Sequence, residues 1–327
     1  MRTELERRCK LFIENRNLIK EKFSWESNYM YPLCAAIFTS RNQVVNQTQM
    51  EICNTILKEQ TGIFSNFRSM SRLPIVTMMA LTENPKEKLE KSLKVYELLK
   101  GEFWGSNYLP MASMIIEELT EEAHYEEVVR WTRYIYNLMK EEHPFLTSAE
   151  DSPMAALLAL SNLEPQEAVV EMERCYQELK GEFFSGNAVQ SLSHVLAMGQ
   201  KSAEVKCRRV MELFQALKEH GKKYGTSYEL ATLGVLALVD VSVDVLAREI
   251  AEVDDYLSTQ KGFGVFGVGS KHRLMYAGML VMGEYVEQTC GTMEVSAVSG
   301  VISIIIAEEA AMCAAVAATT AAASSTN

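Results

Sequence analysis

Apolar positions along this chain recur with the spacing of an α-helix. They fall three or four residues apart, which places them on one face of a helix. The clearest case is residues 85–100, where one face carries Leu89, Leu93, Tyr96 and Leu99. No stretch of similar length alternates apolar and polar residues as a half-buried strand would. The pattern therefore predicts an all-α protein.

The helical segments repeat with a period of about 40 residues. A bulky apolar residue followed by Lys recurs every 38 to 42 residues, at Leu57-Lys58, Leu99-Lys100, Met139-Lys140, Leu179-Lys180 and Leu217-Lys218. An apolar run opened by Pro or a polar residue follows each of these landmarks. We interpret each unit as an antiparallel helical hairpin. Stacked hairpins of this period predict an α-solenoid of the HEAT-like type, with a closed α/α ring as the alternative.

The repeat suggests a division of the chain into two parts. Residues 1–292 are expected to form a domain of about six to seven hairpins, and residues 293–327 an Ala-rich C-terminal helix and tail. The segment from Val295 to Ala323 carries only two charged residues, yet its uncharged run of 13 residues is shorter than the roughly 20 that span a membrane. We therefore expect this helix to dock on protein.

Charge and cysteine usage narrow the classes of partner. The chain has 32 Lys and Arg against 43 Asp and Glu, a net charge of −11, which disfavours nucleic acid and anionic membranes. Its seven cysteines are scattered and never in CxxC spacing, so neither a disulfide framework nor a zinc site is indicated. The N-terminal string MRTELERRCK lacks the apolar stretch of a signal peptide. These features predict a cytoplasmic protein.

One polar cluster has a structural explanation. Thr147 and Glu150 precede an apolar helix with the spacing of a capping box, and Thr226 and Glu229 repeat that pattern 79 residues later. Structural capping is therefore the preferred interpretation for these four residues. Asp151 is left without this explanation, because its counterpart in the repeat is Leu230.

A second set of polar residues is the candidate site. In stacked hairpins the equivalent helices lie side by side, so their N-termini form a row. Helical spacing puts Gln190 and His194 on adjacent turns. The polar pocket expected along this row is centred on His194 and consists of Asp151, Asn187, Gln190, His194, Lys271, His272 and Arg273.

The glycine-rich string 261–273 (KGFGVFGVGSKHR) invites comparison with a phosphate-binding loop. Such a loop needs a preceding strand, and the repeat predicts a helix there. Neither HExxH nor paired ExxH motifs occur in the chain. We find no catalytic motif and predict no catalytic residues, no metal and no cofactor. This favours a non-enzyme and leaves an enzyme as the alternative.

Several long strings resemble the bacterial domain of unknown function family 4003. They are HPFLTSAEDSPMAALLALS from His143, NAVQSLSHVLAMG from Asn187, KHRLMYAGMLV from Lys271 and the Ala-rich ending from Ile304. The resemblance covers nearly the whole chain. It implies a cytoplasmic protein of a Gram-positive bacterium and brings no activity, cofactor or catalytic residue.

The function expected from these observations is a binding scaffold for a protein or peptide, because helical arrays offer extended surfaces. One alternative is a small-molecule binder or enzyme that uses the polar pocket. Another is a structural homo-oligomer assembled through the C-terminal helix. Exposed aromatic or Met side chains on one helix row would favour the scaffold.

Overall fold

A computed structural model describes residues 1–161, 163–264 and 267–290 of the chain. Within these ranges the backbone forms α-helices, a few short 3-10 turns and no strand, so the all-α prediction is confirmed for the described residues. The helices are α1 (Thr3–Lys22), α2 (Met30–Ser40), α3 (Gln47–Gln60), α4 (Arg72–Ala80), α5 (Pro85–Glu102), α6 (Leu109–Leu119), α7 (Tyr125–Glu142), α8 (Ser152–Ala159), α9 (Pro165–Leu179), α10 (Gly186–Ala197), α11 (Ala203–Glu219), α12 (Leu230–Leu238), α13 (Val243–Ser258) and α14 (Gly269–Cys290). The predicted C-terminal helix from Val295 to Ala323 lies outside the described residues.

Two kinds of helix alternate along the chain. The odd-numbered helices up to α13 are long, 14 to 20 residues, and bury one face while the other is exposed. The even-numbered helices up to α12 are short, 8 to 12 residues, and nearly every side chain in them is buried. A helix that is apolar on all sides has to be surrounded by protein, which explains this difference.

The described helices divide between two compact units. Val45–Val170 is called here the inserted unit, and Met1–Val44 together with the chain from Glu171 the terminal unit. In the inserted unit the long helices α3, α5 and α7 pack side by side, α6 packs on α8, and each long helix packs on the short helix that follows it.

The terminal unit joins the two ends of the described chain. Helix α1 packs on α2 and α14, α14 packs on α12 and α13, and α12 packs on α10. The ring of Phe12 in α1 lies 5.6 Å from that of Phe263 and 5.7 Å from that of Tyr276. Beside this apolar contact, the buried Glu249 accepts hydrogen bonds from Arg2 at 2.7 and 3.0 Å and from the Tyr285 hydroxyl at 2.8 Å.

The glycine-rich string connects α13 to α14. A helix precedes it, as the repeat predicts, so it lacks the strand of a phosphate-binding loop. Gly262 has a positive φ of 93°, and a Cβ there would collide with the guanidinium of Arg16. The glycine is therefore needed for the turn and for this close approach.

Candidate functional site

Five connections between a long helix and the next short helix carry an almost fully exposed aromatic side chain. These residues are 94 to 105% exposed and follow one another at intervals of 39 to 41 residues: Trp25, Phe64, Trp104, Phe145 and Phe184. We call the segments that hold them the aromatic connections, residues 23–29, 61–71, 103–108, 143–151 and 180–185. Phe64, Trp104 and Phe145 belong to the inserted unit, and Trp25 and Phe184 to the terminal unit.

Neighbouring buried aromatic rings anchor these connections. Phe103, directly before Trp104, is buried with its ring 5.2 Å from that of Tyr136 and under the guanidinium of Arg133. Phe183, directly before Phe184, is buried edge-on against Phe214 at 5.4 Å. Because the first ring of each pair fills the core, the second is held out of it.

Each aromatic connection contains a serine whose side chain accepts a hydrogen bond from the backbone of the same connection or of the helix that follows it. Its hydroxyl oxygen accepts a backbone N–H two or three residues later, at 3.3 to 3.4 Å, the contact that satisfies an unpaired amide near a helix start. The five serines are Ser27, Ser65, Ser106, Ser148 and Ser185. The exposed rings therefore project from connections whose backbone is held by a side-chain hydrogen bond.

Two aromatic connections of the inserted unit touch each other. The Ser71 hydroxyl donates to the Asn107 carbonyl at 3.1 Å, and the Asn66 side-chain nitrogen lies within 3.9 Å of where a Cβ on Gly105 would stand. Since α5 also packs on α7 and α6 on α8, the connections bearing Trp104 and Phe145 leave neighbouring helices at the same end.

The predicted pocket residues are divided between the units. Asp151 belongs to the inserted unit, and the six others belong to the terminal unit. A pocket that includes all seven therefore stays a prediction.

Asp151 has the structural role that the sequence pattern assigned to its neighbours. The Ser148 backbone N–H donates to its carboxylate at 2.8 Å, and Ser148 and Asp151 together form a capping box. The box predicted for Thr147 and Glu150 thus forms one residue later, and the Thr147 hydroxyl donates instead to the Met139 carbonyl at 3.0 Å. The cause is a 3-10 turn, Ala149–Asp151, before α8. Burial raises the pKa of Asp151 to about 7, against the lowering effect of the Ser148 hydrogen bond.

The capping box predicted for Thr226 and Glu229 also differs, because the partner of Glu229 is Ser227. The carboxylate of Glu229 accepts the N–H of Ser227 at 3.2 Å, while Thr226 is exposed. Glu229 is buried and close enough to His272 to oppose the fall in its pKa, which is caused first by burial. The His272 ring also lies 5.1 Å from that of Tyr29, so side chains at the starts of α2, α12 and α14 meet here.

The remaining pocket candidates have mixed surroundings. On α10, Gln190 and His194 are buried and Asn187 is partly exposed. Lys271 is exposed at the start of α14. The guanidinium of Arg273 donates to both carboxylate oxygens of the buried Asp254, at 2.7 and 3.2 Å. The carboxylate of Asp254 also accepts a hydrogen bond from Lys222 at 2.9 Å. The contact with Asp254 gives Arg273 a structural role.

The sequence analysis did not single out the exposed aromatic residues. Their signal was present in the strings KGEFWGSN and KGEFFSGN, which hold two adjacent aromatics at one repeat position. Only burial shows that the first of each pair is an anchor and the second is exposed.

In the part of the chain that the structure describes, no helix has the length and apolarity required to cross a membrane.

Comparison with known proteins gives a family without an activity. The chain is similar to the uncharacterized protein YeaA of Bacillus subtilis (strain 168), with 24% identity over 271 residues that cover 80% of each chain. No solved structure matches. The family model described as "Protein of unknown function (DUF4003)" matches residues 15–311, so the chain belongs to this family.

Proposed function

We propose that this protein is a binding scaffold whose aromatic connections contact a protein or peptide partner. The observation that carries the proposal is the recurrence of one exposed Trp or Phe in five successive connections. Trp and Phe are enriched at protein interfaces, where a few such anchors supply most of the binding energy. A single exposed aromatic side chain is common on a protein surface. Five of them at one position of a repeat expose much more apolar surface to water, which supports a role in binding.

The contact area available is that of a protein interface. An aromatic side chain buries about 150 to 250 Å² on complete burial. The three rings of the inserted unit would contribute about 450 to 750 Å², which approaches the roughly 800 Å² that each partner gives to a standard interface.

The repeat supplies this arrangement. We propose that the hairpin of about 40 residues, a long helix followed by a short one, is the structural repeat of the protein. Helix contacts within each unit follow that order, and a capping serine follows the exposed ring by one to three residues in five repeats. One ligand-facing ring per repeat is how an array builds an extended recognition surface.

We also propose a cytoplasmic location. The described cysteines Cys9, Cys34, Cys53, Cys175 and Cys207 are buried free thiols. Burial raises the pKa of Cys9 to about 12 and that of Cys53 to about 11, which keeps both thiols protonated and unreactive. Free thiols persist where the surroundings are reducing.

Selection from a random peptide library on the purified protein tests the binding function. The test variant replaces the five exposed aromatics by Ser (W25S, F64S, W104S, F145S and F184S), and should lose at least about tenfold in affinity for the selected peptides. The matched control replaces exposed apolar residues of the long helices (I52S, W131S and V170S). The control should bind like the unaltered protein, and both variants should keep the helical circular dichroism spectrum.

Two results would contradict the proposal. One is a set of selected peptides that bind the five-Ser variant as tightly as the unaltered protein. The other is a loss of binding in the control as large as in the test variant, because that would place recognition on the long helices.

A second candidate function rests on the meeting of Tyr29, Glu229 and His272. A buried imidazole beside a buried carboxylate at three helix starts is a group able to bind a small polar ligand. We propose it as the centre of the small-molecule alternative, with Lys271 at its exposed side. Ligand-induced shifts of the His272 ring signals in NMR, absent in H272N, would support it.

A further inference from the structure

The inserted unit carries most of the net negative charge of the protein. Residues 45–170 contain 11 Lys and Arg against 19 Asp and Glu, so this unit carries a net charge of −8 out of the −11 of the chain. Three of the exposed aromatic residues, Phe64, Trp104 and Phe145, project from the same unit. The net negative charge and these three rings therefore belong to the same unit.

Acidic residues stand directly before two of these rings. Glu102 ends α5 two residues before Trp104, and Glu141 and Glu142 end α7 just before Phe145. All three are exposed, and among the described residues none of their carboxylates makes an ion pair or a hydrogen bond. Since α5 packs beside α7, the three carboxylates lie at one end of a helix pair.

These carboxylates are placed against the stability of their own helices. The C-terminal end of a helix carries partial negative charge, so an acidic residue there is unfavourable. The opposite end of α7 has the favourable arrangement, with Glu126 and Glu127 in its first turn. Acids at the unfavourable end need another explanation, and binding a cation is one.

The nearby cations already make other contacts, and the guanidinium of Arg133 lies over the rings of Phe103 and Tyr136. Lys140 donates to the Thr147 carbonyl at 2.6 Å and to that of Pro144. Lys100 forms an ion pair with Glu97 at 3.0 Å, one turn earlier on α5. A cation that neutralises the carboxylates around Trp104 and Phe145 would therefore come from a partner.

We propose that the partner segment bound at Trp104 and Phe145 is a basic peptide, whose Arg or Lys side chains stack on these rings and pair with Glu102, Glu141 and Glu142. This inference rests on the proposed function and specifies its partner. An aromatic face attracts a cation through the negative charge of its π-electrons, and Arg combines such stacking with bidentate hydrogen bonds to a carboxylate. The charge of the inserted unit would also accelerate encounter with a basic segment.

Tryptophan fluorescence provides the test. The double variant W25F/W131F keeps Trp104 as its single tryptophan, so its emission reports on this connection. We would titrate it with three synthetic peptides of equal length and equal apolar content, which carry Arg, Gln or Glu at the same alternate positions. The Arg peptide should bind at least about tenfold more tightly than the Gln peptide, and the Glu peptide more weakly than both. The affinity of the Arg peptide should fall as salt is added.

Matched variants assign the effect to these residues. E102Q/E141Q/E142Q should weaken the Arg peptide by about tenfold and leave the Gln peptide unchanged, while its thermal stability stays equal or rises. E121Q/E126Q/E127Q makes the same change of charge at the other end of α7 and should bind the Arg peptide normally apart from a small loss at low salt. The variant W104S/F145S lacks the reporting tryptophan, so its binding is measured with a fluorescent label on the peptide. It should also lose affinity for the Arg peptide.

The outcomes separate this inference from the proposed function. Equal binding of the Arg and Gln peptides that still depends on Trp104 and Phe145 would overturn the basic partner and leave the scaffold intact. Binding of the Arg peptide that W104S/F145S does not weaken would also overturn it, because net charge alone would then explain the affinity. If no library peptide depends on the exposed aromatics, the proposed function fails first.

Discussion

At the scale of single residues, the same type of side chain has opposite roles according to its neighbours. Phe103 and Trp104 are adjacent, and one fills the core while the other is exposed. Glu150 and Asp151 are also adjacent, and it is Asp151 that closes the capping box. A carboxylate in a box lies against a helix start, where burial disfavours its charge while the backbone N–H favours it.

Asp151 should make the stability of the protein depend on pH. Its pKa is raised from 3.8 to about 7 in the folded state, so the folded protein holds a proton that the unfolded chain releases between these values. The free energy of unfolding should fall as the pH rises from about 4 to about 7, by an amount on the order of a few kcal/mol. D151N cannot ionise and still accepts the Ser148 N–H, so it should flatten this slope and be more stable than the unaltered protein at pH 8.

Urea unfolding at a series of pH values would measure this dependence. S148A is the informative comparison, because it removes the hydroxyl half of the box and should cost about 1 kcal/mol at every pH. A D151N profile parallel to that of the unaltered protein would show that the raised pKa has no part in the slope.

At the scale of elements, the aromatic connection works as an anchored projection. The buried ring fixes the segment against the preceding hairpin, the serine caps the next amides, and the exposed ring is held between them. Little conformational entropy is then lost when a partner covers that ring, because the backbone is already ordered.

Alanine substitutions at the 103–104 pair should separate anchor from projection. F103A removes a buried ring that contacts Tyr136 and Arg133, and should lower the free energy of unfolding by about 3 kcal/mol. W104A removes a ring exposed to water and should change stability by no more than about 0.5 kcal/mol. Chemical denaturation of both variants is sufficient. Equal losses would mean that the Trp104 ring packs on the protein, which would withdraw it as a binding residue.

At the scale of the molecule, the terminal unit depends on contacts between residues far apart in the chain. Phe12 on α1 meets Phe263 and Tyr276, and Arg2 meets Glu249, 247 residues later. These contacts require the N-terminal hairpin and the last described hairpins to fold together.

F12A should therefore loosen the far end of the described chain. Loss of this wholly buried ring should cost about 3 to 5 kcal/mol. Amide hydrogen exchange should accelerate in α13 and α14 as well as in α1, while α5 and α7 of the inserted unit change less. Faster exchange limited to α1 would show that the N-terminal helix opens independently. The variant I13A, at a less buried position of the same helix, serves as the control.

The sequence by itself determined the all-α class, the 40-residue spacing of its landmarks and the membership of a family without known activity. Helical periodicity and helix-start residues are local signals, and they survive without knowledge of the fold. The same local pattern placed the first capping box within one residue of its position, because a 3-10 turn at Ala149–Asp151 shifts the cap. At the second place only the carboxylate contact forms, from the Ser227 N–H to Glu229.

Only the tertiary structure decided which polar and aromatic side chains are free to act. Arg273 was a pocket candidate by sequence, and its guanidinium is engaged with Asp254, 19 residues away. The sequence pattern did not distinguish Trp104 from Phe103, and Trp104 is exposed because Phe103 occupies the core beside it. Exposure and pairing depend on what packs from distant parts of the chain, so the pattern of residues around a position cannot determine them.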